Sequence, residues 1–166
     1  MKKMFLVFFA LPVLLSSCVK DECSFTESGT VASPAEITTI QTFLTSQSIT
    51  AIQHPSGVFY TIQNPGTGAG PSSLCNSVVV NYNAYILGSG STFDNFSDPS
   101  GTPLVLGTLI VAWQKILPLL KPGGTIIMYV PPSLAYGDQD QRDQNGNIIL
   151  PANSYTKFEV TLLGIR

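Results

Sequence analysis

Hydrophobic and polar positions follow three different patterns along this chain. From Met4 to Leu15 there is no periodicity at all: the run is apolar, interrupted only by Pro12, with Lys2 and Lys3 before it and Ser16-Ser17-Cys18 after it. A basic start, an apolar stretch and small residues before a cysteine form the anatomy of an export leader. Its 12 residues fall short of the ~20 that a membrane-crossing helix needs, so residues 1–17 are set aside from fold reasoning. Residues 18–33 are largely polar, with Ser, Thr and Gly, and predict a flexible tether. Ser33-Pro34-Ala35-Glu36 then reads as a helix start, with an N-cap, a proline in the first turn and an acid near the positive end. Ile37, Ile40, Phe43 and Leu44 recur at helical spacing, which predicts an amphipathic accessory helix over 34–47. A helix this short is marginal alone in water, so its stripe needs a surface to cover.

From residue 57 the period drops to two. Gly57–Gln63, Val78–Leu87, Ser91–Asp94, residues 104–106, Thr125–Val130 and Tyr155–Ile165 predict strands, separated by turn-rich segments such as Asn64–Pro71 and Gly88-Ser89-Gly90. Thr108–Leu120 is the one sustained helical stretch of this part, around Ile110, Trp113, Ile116 and Leu117, and Pro131–Leu150 reads as a long loop. Strands, one helix, then strands predict an α+β domain over 57–166, preceded by the accessory helix and linker of 34–56.

Charge narrows the function. Only 11% of residues are charged, and removing Lys2 and Lys3 takes the net charge from −2 to −4. With no basic cluster, a nucleic-acid partner is excluded. One histidine and no C-x-x-C spacing predict no metal site, and the Gly66–Gly70 run lacks the GK[ST] and following helix of a phosphate loop, so no cofactor is expected. His54 reads as a surface residue in the linker. Apart from Cys18, two cysteines remain, Cys23 and Cys75. In an exported chain they can pair and close a loop of about 50 residues, or stay as two thiols. The sequence leaves both open.

Leu15-Ser16-Ser17-Cys18 resembles the lipobox of bacterial lipoproteins. That implies cleavage before Cys18, acylation of its thiol, a lipid membrane as partner and a place in the cell envelope, with the face of the membrane undetermined. Lys20-Asp21-Glu22 resembles a charged signal that sends some lipoproteins to the outer-membrane surface.

Three ordered blocks resemble the FKBP-type peptidyl-prolyl isomerases. Val78–Asn83 through Phe93-Asp94 follows V-x-V-x-Y-x…F-D; Leu106-Gly107 with Leu109–Trp113 follows L-G…V-I-x-G-W. Pro132–Gly137, Leu150–Asn153 and Phe158–Leu163 follow P-x-x-A-Y-G, I-P-x-N and F-x-V-x-L-L. The resemblance implies a twisted antiparallel half-barrel wrapped on one short helix. It also implies isomerisation of X-Pro bonds in proline-containing polypeptides, with macrolides as further ligands. Residue by residue, it puts Trp113 at the floor of a proline pocket, Tyr82, Phe93 and Phe158 in its walls and Leu150 on its rim. Asp94, the Tyr136 hydroxyl and the Ile110 backbone N–H would contact the substrate main chain. The alternative is a catalytically weak module of the same fold that only holds proline-containing peptides. Each residue also has a plainer reading: Trp113 and Phe158 as core, Asp94 as a turn cap, Tyr136 as a loop plug.

Overall fold

The computed structural model describes residues 23–98 and 100–166. The leader, Cys18 and Lys20-Asp21-Glu22 lie outside the described residues.

Two long strands form the spine. β3 (Ser77–Ile86) and β9 (Thr156–Ile165) pair antiparallel from Val78 opposite Ile165 to Ile86 opposite Thr156. β6 (Thr125–Val130) lies on the other side of β9, β2 (Phe59–Asn64) beyond it, and β1 (Ile52–Gln53) at the edge. β4 (Thr92–Phe96) and β5 (Leu104–Val105) pair with the free side of β3. The sheet order is β1-β2-β6-β9-β3-β4, antiparallel throughout.

Alternation along these strands gives the sheet two apolar faces of unequal size. On one face Val78, Val80, Ala84, Ile126, Met128, Val130, Phe158, Val160 and Leu162 pack with Trp113, Ile116, Leu117 and Leu120 of the helical segment. On the other, Phe59 and Tyr129 pack with Ile40 and Leu44 of α1 (Pro34–Ser46). The accessory helix therefore covers the sheet from behind, opposite the domain helix. Its start is a complete capping box: Glu36 N donates to Ser33 Oγ, and Ser33 N donates back to the Glu36 carboxylate.

The helical stretch expected over 108–120 is interrupted. A 3-10 turn at Leu106–Thr108 gives way to extended backbone at Leu109 and Ile110, and α2 occupies only Val111–Ile116 before a second 3-10 turn at Leu117–Leu119. Pro118 has no N–H to continue the α-helical ladder and crowds the carbonyl four residues back, so the last turn tightens. The loop expected over 131–150 contains a hairpin, β7 (Gln141–Arg142) with β8 (Ile148–Leu150). Asp143 organises its turn, accepting from the N–H groups of Asn145 and Asn147.

The described part of the expected tether is a docked strap. Cys23 is joined to Cys75 by a disulfide, with Cα atoms 5.7 Å apart. Lys115 of α2 donates to the Ser28 carbonyl at 2.7 Å, and Ala32 is buried in the main core. Two glycines make room. Phe25 lies so close over Gly107 that a Cβ there would meet the ring at 2.4 Å, and Gly57, at φ +95°, would likewise collide with Ala32. The polar composition of 23–33 concealed these contacts because they are few and join residues distant in sequence. Nor is His54 a free surface residue: it is half-buried, and its Nδ1 accepts from Ser56 N at 3.1 Å.

Candidate active site

The concave face of the sheet presents a run of aromatic rings, each meeting the next edge to face. Tyr82 on β3 meets Trp113 on α2 with centroids 5.1 Å apart; Trp113 meets Phe158 on β9 at 5.6 Å. Phe158 meets Phe93 on β4 at 6.0 Å, and Phe93 meets Tyr136 at 5.9 Å. Interplanar angles of 81–90° place the positive ring edges on neighbouring faces, the arrangement aromatic quadrupoles favour. Strand periodicity explains the convergence: Tyr82 and Phe158 both lie on the inner face of paired strands, with Ala84 directly opposite Phe158. A small side chain at Ala84 leaves space for the Phe158 ring.

Four of these rings line a cleft of about 200 Å³; Phe93, expected in its wall, does not. Tyr82, Ile110, Trp113, Tyr136 and Phe158 border it directly, joined by Leu104, Thr108 and Leu109. Trp113 is only 4% exposed, and its Nε1 has no hydrogen-bond partner among the described residues. Phe93 stands behind the cleft as an edge-on support for Phe158 and Tyr136.

Polar groups gather at one side. Tyr82 Oη donates to Asp94 Oδ2 at 2.6 Å. Burial, then the hydrogen bond and charge of Asp94, pushes the Tyr82 phenol well above the ordinary tyrosine range. Burial, with the Asp94 charge added, raises the Tyr136 phenol as well. Both stay protonated donors in neutral solution. Among the described residues the Tyr136 hydroxyl has no acceptor, and the Ile110 N–H has none either. Ile110 is the N-cap of α2, where the first amides lack intrahelical acceptors. Its segment is held from inside by Gln114, whose amide donates to the carbonyls of Leu109 at 2.7 Å and Gly107 at 3.2 Å.

Leu150 is not a rim residue. The β7–β8 hairpin turns it inward to 1% exposure, leaving Ile148 and Ile149 outside. Leu104, Thr108 and Leu109 were not singled out from the sequence. Their signal was position alone, since they flank the Leu106-Gly107 pair and the tryptophan helix. A larger groove of about 300 Å³ lies against β3, β4, β6 and β9, lined by Asn81, Asn83, Asn95, Thr125 and Thr161. Its lining is dominated by amides and hydroxyls, so it offers no comparable dry floor. No cluster of three or more metal-ligating side chains occurs among the described residues.

Comparison with known proteins meets this geometry. The sequence profile described as FKBP-type peptidyl-prolyl cis-trans isomerase matches residues 71–163. The isomerase FkpA of Escherichia coli is 35% identical over 113 residues, which are 67% of this chain and 38% of that protein. Its crystal structure superposes with a TM-score of 0.62 at 30% identity, covering 80% of this chain and 58% of that one. The "Outer membrane protein MIP" of Legionella longbeachae is 35% identical over 114 residues, 68% of this chain and 46% of that protein. The chain thus spans less than half the length of these curated relatives. A peptidyl-prolyl isomerase structure from Pseudomonas syringae pv. tomato shares the fold, with a TM-score of 0.64 at 24% identity, covering 82% of this chain and 98% of that one.

Proposed function

The chain belongs to the FKBP-type peptidyl-prolyl cis-trans isomerase family, and from that premise we propose that it accelerates isomerisation of X-Pro bonds in polypeptides outside the cytoplasm. The observation that carries this is the aromatic cleft of Tyr82, Trp113 and Phe158, with the Tyr136 hydroxyl and Ile110 N–H unspent at its border. Twisting an amide breaks its conjugation, and the barrier is ~18–20 kcal/mol. The twisted form has a less polarised carbonyl than the planar one. A dry aromatic wall therefore disfavours the planar ground state relative to the transition state. Ile110 N–H receives the substrate carbonyl, while Asp94 and the Tyr136 hydroxyl hold the main chain near the twisting bond. No nucleophile or general base takes part. A 10⁴-fold acceleration needs only ~5.5 kcal/mol.

The location is part of the same reading. The leader of residues 1–17 runs into a lipobox-like Cys18, and a relative carries an outer-membrane name. Among the described residues no helix is long and apolar enough to cross a membrane. Acylation of Cys18 then anchors the domain to the envelope, and mass spectrometry of the native protein should find a mature N-terminus at an acylated Cys18. Proline-containing polypeptides passing through that compartment are the substrates, and macrolides that occupy the cleft are competing ligands.

The deciding experiment is a protease-coupled assay on a prolyl peptide, run with and without a macrolide. Acceleration that the macrolide abolishes is expected. Peptide binding without acceleration would replace the enzyme with a binding module.

A further inference from the structure

We propose that Glu36 is a positioning residue for the cleft, holding the loop that carries Tyr136 from the far side of the sheet. The Glu36 carboxylate accepts four hydrogen bonds. Two come from its own helix start, Ser33 N at 2.8 Å and Ser33 Oγ at 2.9 Å. The other two come from a residue 97 positions away: Ser133 N and Ser133 Oγ, each at 3.0 Å. One carboxylate thus serves the capping box of α1 and, at the same time, ties α1 to the loop after β6.

That loop is knotted by its own backbone hydrogen bonds. Ala135 N and Gly137 N both donate to the Pro132 carbonyl, at 3.0 and 2.9 Å, and Leu134 N donates to Pro131 O. Ser133 sits inside this knot, three residues before Tyr136. Beside this contact Glu36, Ser133, Gly137 and Asp138 line a concavity. Hydrogen bonds from Ser33 and Ser133 hold the Glu36 carboxyl below the usual glutamate range against a desolvation effect of opposite sign, consistent with a charged clamp in neutral solution. A charged acceptor bound to a backbone N–H makes a stronger tie than a neutral one. The inference rests on the reading that the Tyr136 hydroxyl touches substrate. The accessory helix thereby becomes part of the support of the site.

The test uses the full chain and a double-mutant cycle. Glu36→Ala should lower kcat/KM roughly tenfold in protein shown to be folded, a loss of about 1.4 kcal/mol. Glu36→Gln, which keeps one carbonyl acceptor for Ser133 N, should fall between. Ser33→Ala weakens the helix cap but leaves the Ser133 contacts, so it should lower the melting temperature with kcat/KM unchanged. The decisive arm is Tyr136→Phe: if Glu36 acts through Tyr136, adding Glu36→Ala to it should slow the enzyme no further. Additive losses, or a Glu36→Ala loss no larger than its unfolded fraction, would overturn the proposal. If the parent chain is inactive, the isomerase reading falls by itself. Amide exchange then decides the clamp: Glu36→Ala must speed exchange across Ser133–Gly137, and an unchanged rate there refutes it.

Discussion

Tyr82 donates its phenol hydrogen to Asp94 Oδ2 at 2.6 Å across paired strands β3 and β4, and through this bond a wall of the cleft fixes its carboxylate. Tyr82 also rests edge-on against Trp113 and stacks on Phe96. The position of Asp94 is therefore inherited from ring packing. If Asp94 meets the substrate main chain in the twisted state, Asp94→Ala should lower kcat and kcat/KM together while peptide affinity changes little. Loss of a charge-assisted hydrogen bond predicts a fall of roughly 10- to 150-fold. Tyr82→Phe, which leaves the carboxylate but removes its holder, should fall roughly 3- to 10-fold, the scale of one ordinary hydrogen bond. Prolyl-peptide kinetics beside thermal unfolding separate these losses from simple instability.

Trp113 is the one tryptophan of the sequence, so its fluorescence reports the cleft alone. At 4% exposure its emission should be blue-shifted and should change when a proline peptide or a macrolide binds. Trp113→Ala should destabilise the fold by about 3–5 kcal/mol, because the ring fills core as well as cleft floor. A solvent-like spectrum that ligand leaves unaltered would remove the cleft from the mechanism.

His54 supplies a pH signature. Burial, and then the positive charge of Lys115, lowers its pKa below the usual 6.5, with Glu27 opposing. The acceptor role of Nδ1 toward Ser56 N suits the neutral ring. The unfolded chain therefore takes up the proton first as pH falls. Its contribution to stability is complete above 6.5 and declines as pH drops toward the folded value. NMR titration of this single histidine should give a pKa below 6.5, and His54→Gln should flatten the melting-temperature slope as pH falls below 6.5. A midpoint at or above 6.5 would contradict the geometry.

Opening the Cys23–Cys75 bond frees a loop spanning 52 positions. In the chain-entropy estimate that lowers stability by about 4 kcal/mol. Urea unfolding of Cys23→Ser against the parent measures it, and addition of reductant to the parent should reproduce the shift.

The alternating strands were legible because each buries one face continuously: β6 and β9 fall at Thr125–Val130 and Thr156–Ile165, against readings of 125–130 and 155–165. Most cleft residues could be read too, since Tyr82, Trp113, Tyr136 and Phe158 fall in ordered family blocks. The β7–β8 hairpin was hidden because Gln141 and Arg142 carry no apolar alternation, although Asn145-Gly146 is a hairpin turn signal. Missing that hairpin misplaced Leu150. In the sequence Ser33 and Glu36 mark a helix start and no more. A carboxylate's second set of donors, 97 residues downstream, leaves no local trace in composition or period. The Cys23–Cys75 pairing was one of two outcomes the cysteine count left open; the rest of the strap of 23–33 escaped for the same reason as Glu36, being held by one ring on a glycine and a few long-range contacts.

The disulfide also decides how the domain carries mechanical load. Residues 23–75 form a closed covalent ring that contains α1, β1 and β2. Tension arriving from the N-terminal end, where a lipid anchor would pull, passes from Cys23 directly into Cys75, two residues ahead of β3. The longer arm of the ring stays slack. Drag on such an anchor would thus be delivered to the strand with the longest pairing in the sheet, while the strap, the accessory helix and the Glu36–Ser133 tie would remain off the line of force. The Tyr136 loop lies outside the path along which such a pull would travel.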